Sequence, residues 1–199
     1  MLRRSVALVV AAVVAGCGGS SPEETFSLAD ARRLATVEPV TPDWVWPRNP
    51  VSSGSYGNEP GANTTDELLA ALRRQLADVA FIGGAGSKWR DDTKLGNLAA
   101  EVWESASGAH EAMAPLRVFA RGWGELSGEV IRDETIEGLG DEAWRIAVGG
   151  NGVQVTYKWR RGNLVLEAHI HCWSQCPEDV WDTARTWADA IDEEARRSA

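Results

Sequence analysis

Three residues late in the chain could share one chemistry: Glu167, His169 and His171, each two positions from the next. Side chains two apart on a strand point to the same side, so the two imidazoles would stand close enough to hold one metal ion. Glu167 lies two positions further along and would reach that ion only through strand curvature or a bridging water. Cys172 would point to the opposite face of a regular strand. A structural site needs four ligands, and His110 is the one further histidine. The competing reading is two polar-face histidines, hydrogen-bonded or solvated near a strand end. Metal binding through Glu167, His169 and His171 stands as an alternative to it.

Tryptophan is the second oddity, with ten residues. Trp144, Trp159, Trp181 and Trp187 fall on apolar faces and are expected in the core, where an indole brings large apolar area and needs one hydrogen-bond partner. Trp44, Trp46, Trp89 and Trp123 have no such place. Trp44-Val45-Trp46-Pro47 sits in a proline-rich stretch, where exposed indoles could stack on the sugar rings of an envelope glycan. A groove lined by Trp44, Trp46 and Trp89 is the candidate ligand site; the competing reading is that these indoles pack the wrap onto the sheet.

Enzyme constellations are thin. Gly84-Ala85-Gly86-Ser87 lacks nucleophile-elbow spacing and a nearby histidine. Asp91-Asp92 and Asp133-Glu134 read as solvated loop carboxylates rather than an acid–base pair. Gly149-Gly150-Asn151-Gly152 reads as a hairpin turn, not a phosphate cradle. No catalytic residue and no cofactor is expected.

The first residues give an address. Met1-Leu2-Arg3-Arg4 is a short positive stretch, and Ser5 to Ala15 is almost wholly Ala, Val and Leu. A charged start, a short apolar run and small residues at its end make a secretory signal. The run is too short for a spanning helix, which needs roughly 20 apolar residues. Val14-Ala15-Gly16-Cys17 resembles the bacterial lipobox, which implies cleavage before Cys17 and transfer of palmitate-type lipid to its thiol. Residues 1–16 would then be a signal peptide and 17–24 the lipidated Cys with a flexible Gly/Ser tether. Two or more acyl chains hold a protein stably on a membrane. Residues 25–199 remain as one extracytoplasmic domain.

Loss of Arg3 and Arg4 takes the net charge from −9 to −11. So acidic a chain is a poor partner for nucleic acid, which rewards basic faces, and for broad adhesion to anionic lipid. The bias of 17 Arg against Lys88, Lys94 and Lys158 reflects genome composition rather than chemistry. With Cys17 on lipid, Cys172 and Cys176 are left as a pair in an oxidising compartment, and a disulfide between them is expected. It would fix the corner between a strand end and a helix start.

The elements that must position these residues are legible at their ends. Ser27-Leu28-Ala29-Asp30 reads as a capping box opening a short helix to about Thr36. Five prolines between Pro39 and Pro60 predict an irregular wrap over 37–63. Thr64-Thr65-Asp66-Glu67 caps a second helix with Leu68, Leu72, Leu76 and Val79 on one stripe, stopped by Gly83-Gly84. A third helical stretch near Gly108 to Ala120 is expected to break or kink at Pro115. Strands are expected near 80–89, 98–105 and 129–135. The clearest pattern is late: Trp144-x-Ile146-x-Val148, then Val153 to Trp159, then Leu164 to Ile170, alternate between Gly/Asn turns. That predicts a three-stranded antiparallel meander with one buried face. A last helix is expected from Pro177, with Val180, Ala184, Trp187 and Ile191 as its apolar stripe. The fold class is α+β, an antiparallel sheet flanked by about four helices.

Gly138-Leu139-Gly140-Asp141-Glu142-Ala143, a strand, and Trp159-Arg160-Arg161-Gly162-Asn163-Leu164-Val165-Leu166 together resemble a pattern in actinobacterial secreted lipoproteins. Similar domains form the extracellular sensor part of some receptor serine/threonine kinases. The resemblance covers chiefly residues 138–199; Trp144, Trp159 and Trp173 depart from it. It implies a non-catalytic envelope domain with a binding role and no functional residues to carry over; a lipid, a glycan fragment or a partner protein is the ligand expected. A structural assembly lipoprotein without a small ligand is the other expectation.

Overall fold

The structure, a computed structural model, describes residues 24–39, 46, 50, 52–56, 66–174, 176 and 180–199. Cys17, its flanking signal and tether, and Trp44 lie outside the described residues. In chain order the elements are α1 (Leu28–Leu34), β1 (Ser52–Tyr56), α2 (Asp66–Gln75), β2 (Phe81–Arg90), β3 (Lys94–Trp103), α3 (Ala106–Ser127), β4 (Gly128–Ile136), β5 (Glu142–Gly150), β6 (Gly152–Arg161), β7 (Leu164–Cys172) and α4 (Val180–Ser198). The strands form one seven-stranded sheet in the order β1-β2-β3-β7-β6-β5-β4. Every neighbouring pair is antiparallel. The fold is α+β, and β5, β6 and β7 are the expected meander.

The alternation along β7 shows how the layers arise. Leu164, Leu166, Ala168 and Ile170 join the core beneath α1 and α4, with Trp159, Trp187 and Ile191. Val165 points to the other side and joins a second core with Trp103, Leu116, Trp144 and Ile146 beneath α3. The sheet is therefore buried on both faces, not on one as the alternation suggested. Trp144 and Trp159, both expected in a core, belong to different ones. Trp181 is only partly buried; the guanidinium carbons of Arg145 and Arg132 lie 5.1 and 5.4 Å from its ring.

Three expectations need correction. α3 runs without interruption from Ala106 to Ser127 through Pro115. Proline removes one backbone donor, here to the carbonyl of solvent-exposed Glu111, where water can replace it. The buried stripe of Ala109, Ala112, Met113 and Leu116 outweighs that loss. α2 ends at Gln75, and Gly83-Gly84, read as its stop, lie inside β2. The stretch read as irregular wrap contains β1, which pairs Ser52–Tyr56 against Lys88–Gly84.

The short motifs Gly138–Asp141 and Arg160–Asn163 turn out to be one structure. Asp141 Oδ2 accepts from the Gly162 amide at 2.8 Å, and the Asp141 amide donates to the Arg160 carbonyl at 2.7 Å. Gly162 has φ +53, and a Cβ there would stand 1.9 Å from the Glu24 carbonyl oxygen, so glycine is required on both counts. Asn163 then binds the incoming chain. Its Oδ1 accepts from the Phe26 amide at 2.7 Å, and its Nδ2 donates to the carbonyls of Phe26 (3.1 Å) and Trp103 (2.9 Å). Arg161 donates twice to the fully buried Asp192 of α4, at 3.0 and 2.8 Å, and Trp159 Nε1 donates to it at 3.1 Å. α1 opens with the expected capping box of Ser27 and Asp30. Cys172 and Cys176 form the expected disulfide across Cα atoms 5.5 Å apart, tying the end of β7 to the approach to α4.

Asn163→Ala removes three hydrogen bonds and leaves buried backbone groups of Phe26 and Trp103 without partners. A destabilisation of about 2–4 kcal/mol is expected in urea unfolding, with early proteolysis near residue 26. A change below about 0.5 kcal/mol would show that the N-terminal segment is not held by this residue.

Candidate functional site

The sheet face under α3 is only partly covered. α3 lies over β4, β5 and part of β6, and a glycine lets it come close: a Cβ at Gly124 would meet Val148 Cγ2 at 2.7 Å. Between α3 and the strands β6, β7, β3, β2 and β1 a cavity of about 570 Å³ opens. That size falls within the range of small-molecule sites, about 300–1,000 Å³. Its roof is apolar: Leu116, Phe119, Ala120 and Trp123 of α3, with Leu72 of α2. Ile146 and Val148 of β5 continue that wall.

The floor is polar, and its residues meet through strand register. Asn97 of β3 stands opposite His169 of β7, which stands opposite Thr156 of β6; Lys88 of β2 completes the row beside Asn97. One step along, Glu167 of β7 stands opposite Lys158 of β6. Lys158 is buried, with its Nζ 2.9 Å from Glu167 and 3.8 Å from the equally buried Glu101 of β3. Burial works against the ammonium, but the two carboxylates outweigh it and hold the Lys158 pKa above its ordinary value. Burial likewise works against Glu167, and Lys158 outweighs it, so that carboxyl is held below its ordinary range. Lys158 and Glu167 thus form an ion pair in the floor, with Glu101 on the far side of the amine.

His169 is the contrary case. Burial drives its pKa down to about 4, opposed by Glu167 and reinforced by His171 and Lys88. Its imidazole is therefore neutral near pH 7, and its Nδ1 pairs with Thr156 Oγ1 at 2.8 Å. A neutral ring presents one donor and one acceptor.

The sequence expectations divide on this floor. Glu167 and His169 lie where the alternation put them, on the polar face, and both line the cavity. His171 points the same way but stands outside the lining. Its Nε2 contacts the Asn151 carbonyl at 3.2 Å, and its ring meets Trp173 edge-on at 5.1 Å. Glu167, His169 and His171 each have a different partner. Among the described residues no group of three or more His, Cys, Asp or Glu could hold a metal ion. The expected metal set is not brought together, because Lys158 holds the carboxylate that a cation would need.

The expected tryptophan groove is corrected as well. Trp89 is 1 % exposed and packs edge-on against Trp187 at 5.6 Å, on the opposite face of the sheet. Trp46 is half-buried on that same face, its ring over Gly96 and beneath the Lys94 amine. Neither has a ring free in the cavity. Trp123 does: it is 39 % exposed and stands in the wall. Asp133 and Glu134, read as loop carboxylates, are held on β4 by Arg117 and Arg145.

Sequence reasoning missed Glu101, Lys158, Asn97 and Gln154 as site residues. The available signal was a charged residue at the centre of an otherwise apolar strand: Glu101 in Ala99-Ala100-Glu101-Val102, and Lys158 in Tyr157-Lys158-Trp159. Two of the chain's three lysines line this cavity.

No protein-family model matches the chain, and no curated protein matches it. Among solved structures the chain is similar to the extracellular domain of PknH from Mycobacterium tuberculosis, with a TM-score of 0.42 and 13 % identity over 73 % of this chain and 84 % of that one. A likeness of that degree carries no functional inference.

The depressed His169 pKa fixes a pH dependence. The unfolded ring takes a proton near pH 6.5 while the folded ring refuses it until about 4, so folding loses stability as pH falls through that window. The loss expected from His169 is about 3 kcal/mol at its fullest. Urea midpoints from pH 7 to 4 should show His169→Gln losing distinctly less than the parent chain; parallel slopes would contradict a buried neutral imidazole.

Proposed function

We propose that the chain is a membrane-anchored extracytoplasmic lipoprotein whose folded domain, residues 25–199, is a non-catalytic module that binds a small ligand. The observation that carries this reading is the cavity of about 570 Å³, with an apolar helix on one side and a row of polar side chains on the other. A space that size, with few polar groups converging on it, is the usual form of a small-molecule site. A chain with a purely structural role has no need of a buried lysine and its carboxylates facing an open space.

The address rests on the signal-like start and on Cys17, and the Cys172–Cys176 disulfide suits an oxidising compartment. No helix among the described residues is long and apolar enough to cross a membrane. Asn163 grips the chain at Phe26, and six residues separate Cys17 from Glu24, a reach of at most about 25 Å. An anchor on Cys17 would therefore keep the β6–β7 turn toward the bilayer. The cavity extends the other way, past Gln154 and Trp123 toward the β5–β6 turn, and would remain open to the aqueous side.

The test is native mass spectrometry of the full chain carrying Cys17→Ser, secreted by the cells that make it and purified without detergent. A non-covalent mass on the parent chain that disappears in Ala120→Trp, which fills the cavity, is the expected result. Bare mass on both would remove the ligand-binding reading and favour a protein-assembly role.

A further inference from the structure

The polar floor is balanced in charge, and that selects a ligand class. Lys88 and Lys158 face Glu101 and Glu167 across the same floor. Lys158 already sits between its two carboxylates, at 2.9 and 3.8 Å. An anionic head could reach Lys158 only by displacing Glu167, which would leave that carboxylate without its cation, and beside Lys88 it would leave the floor with a net negative charge. A cationic head would meet two lysines in a confined space. Either exchange costs more desolvation than it returns, because a buried charge must keep a partner. What the floor does offer is neutral: the amides of Asn97 and Gln154, and the paired Thr156 hydroxyl and uncharged imidazole, which between them keep free donor and acceptor positions.

The opposite wall asks for something else. Leu116, Phe119 and Leu72 present hydrocarbon, and the half-open Trp123 ring stands where a flat polar ring could stack. Resting on the binding role proposed above, we propose that the cavity takes a single-chain amphiphile with an uncharged, hydroxyl-rich head, of the alkyl glycoside type. Its hydroxyls lie on the Asn97–Thr156–Gln154 floor and its chain lies under α3. The volume admits one drug-sized molecule and not a two-chained lipid.

The discriminating experiment compares octyl chains that differ only in the head, each below its micelle concentration, by calorimetry on the detergent-free full chain with Cys17→Ser. Octyl glucoside should bind at least about tenfold more tightly than octyl sulfate, octyltrimethylammonium or octylphosphocholine. Ala120→Trp should abolish that binding. Gln154→Leu, which removes one floor amide without filling the space, should weaken the glucoside by about tenfold and serves if the bulkier variant does not fold. A charged or zwitterionic head binding as well as the glucoside overturns the head assignment while leaving the cavity as the binding site. Glucoside binding unchanged in both variants overturns the placement. No heat from any probe overturns the ligand class, and the native mass result then decides whether the cavity binds anything.

Discussion

A protonated amine buried in a sheet constrains everything near it. Lys158 needs carboxylates within a few ångströms, and they come from two strands: Glu167 on β7, its direct cross-strand partner, and Glu101 on β3 beyond it. A one-residue slip in either pairing would turn a charge to the opposite face, among Leu166 and Val102 of the other core. The cluster thus specifies the β3–β7–β6 register, and β3–β7 is the pairing that joins the meander to the earlier strands. It also repels apolar cover. An aliphatic helix laid over these groups would remove water without supplying hydrogen bonds. α3 accordingly packs on Trp144, Ile146 and Val148, and meets the charged strands through Trp103 and Val165 rather than through their charges. The cavity is the space that this division leaves.

The other end of the sheet is closed by a different network. Asp141, Gly162 and Asn163 join the β4–β5 connection, the β6–β7 turn and the incoming chain, while Arg161 and Trp159 reach Asp192 in α4. Buried polar groups that satisfy one another specify a single arrangement. This rigid end takes the chain's entry; the open end holds the cavity. With the anchor proposed on Cys17, this arrangement would present the cavity away from the membrane.

Much of the fold could be read from the sequence because its signals are local. The meander shows as alternation between Gly/Asn turns, α4 as a stripe of Val180, Ala184, Trp187 and Ile191, and α1 as a capping box. What could not be read is set by packing between distant residues. Pro115 signals a break, yet α3 continues because its stripe is buried. Gly83 and Gly84 signal a helix stop, yet they belong to a strand whose neighbours supply its hydrogen bonds. Alternation in β5 to β7 marks two faces but does not say that each is buried. The site was half legible for the same reason. Glu167 and His169 were found from their spacing along one strand. Their partners Lys158, Thr156, Asn97 and Glu101 lie on other strands, and only register joins them. Trp89 and Trp46 lie on no stripe in the sequence, so ligand stacking and packing on the sheet look alike until the opposite layer is present.

The most direct test of the cavity as the binding site is a nuclear magnetic resonance titration of the Trp indole N–H and Ile and Val methyl signals with octyl glucoside. Progressive, saturable shifts at Trp123, Ile146 and Val148, with Trp187 and Ile191 of the opposite core unmoved, are what this account predicts. Shifts centred on Trp46 instead, or no saturable shift at Trp123, Ile146 or Val148, would contradict it.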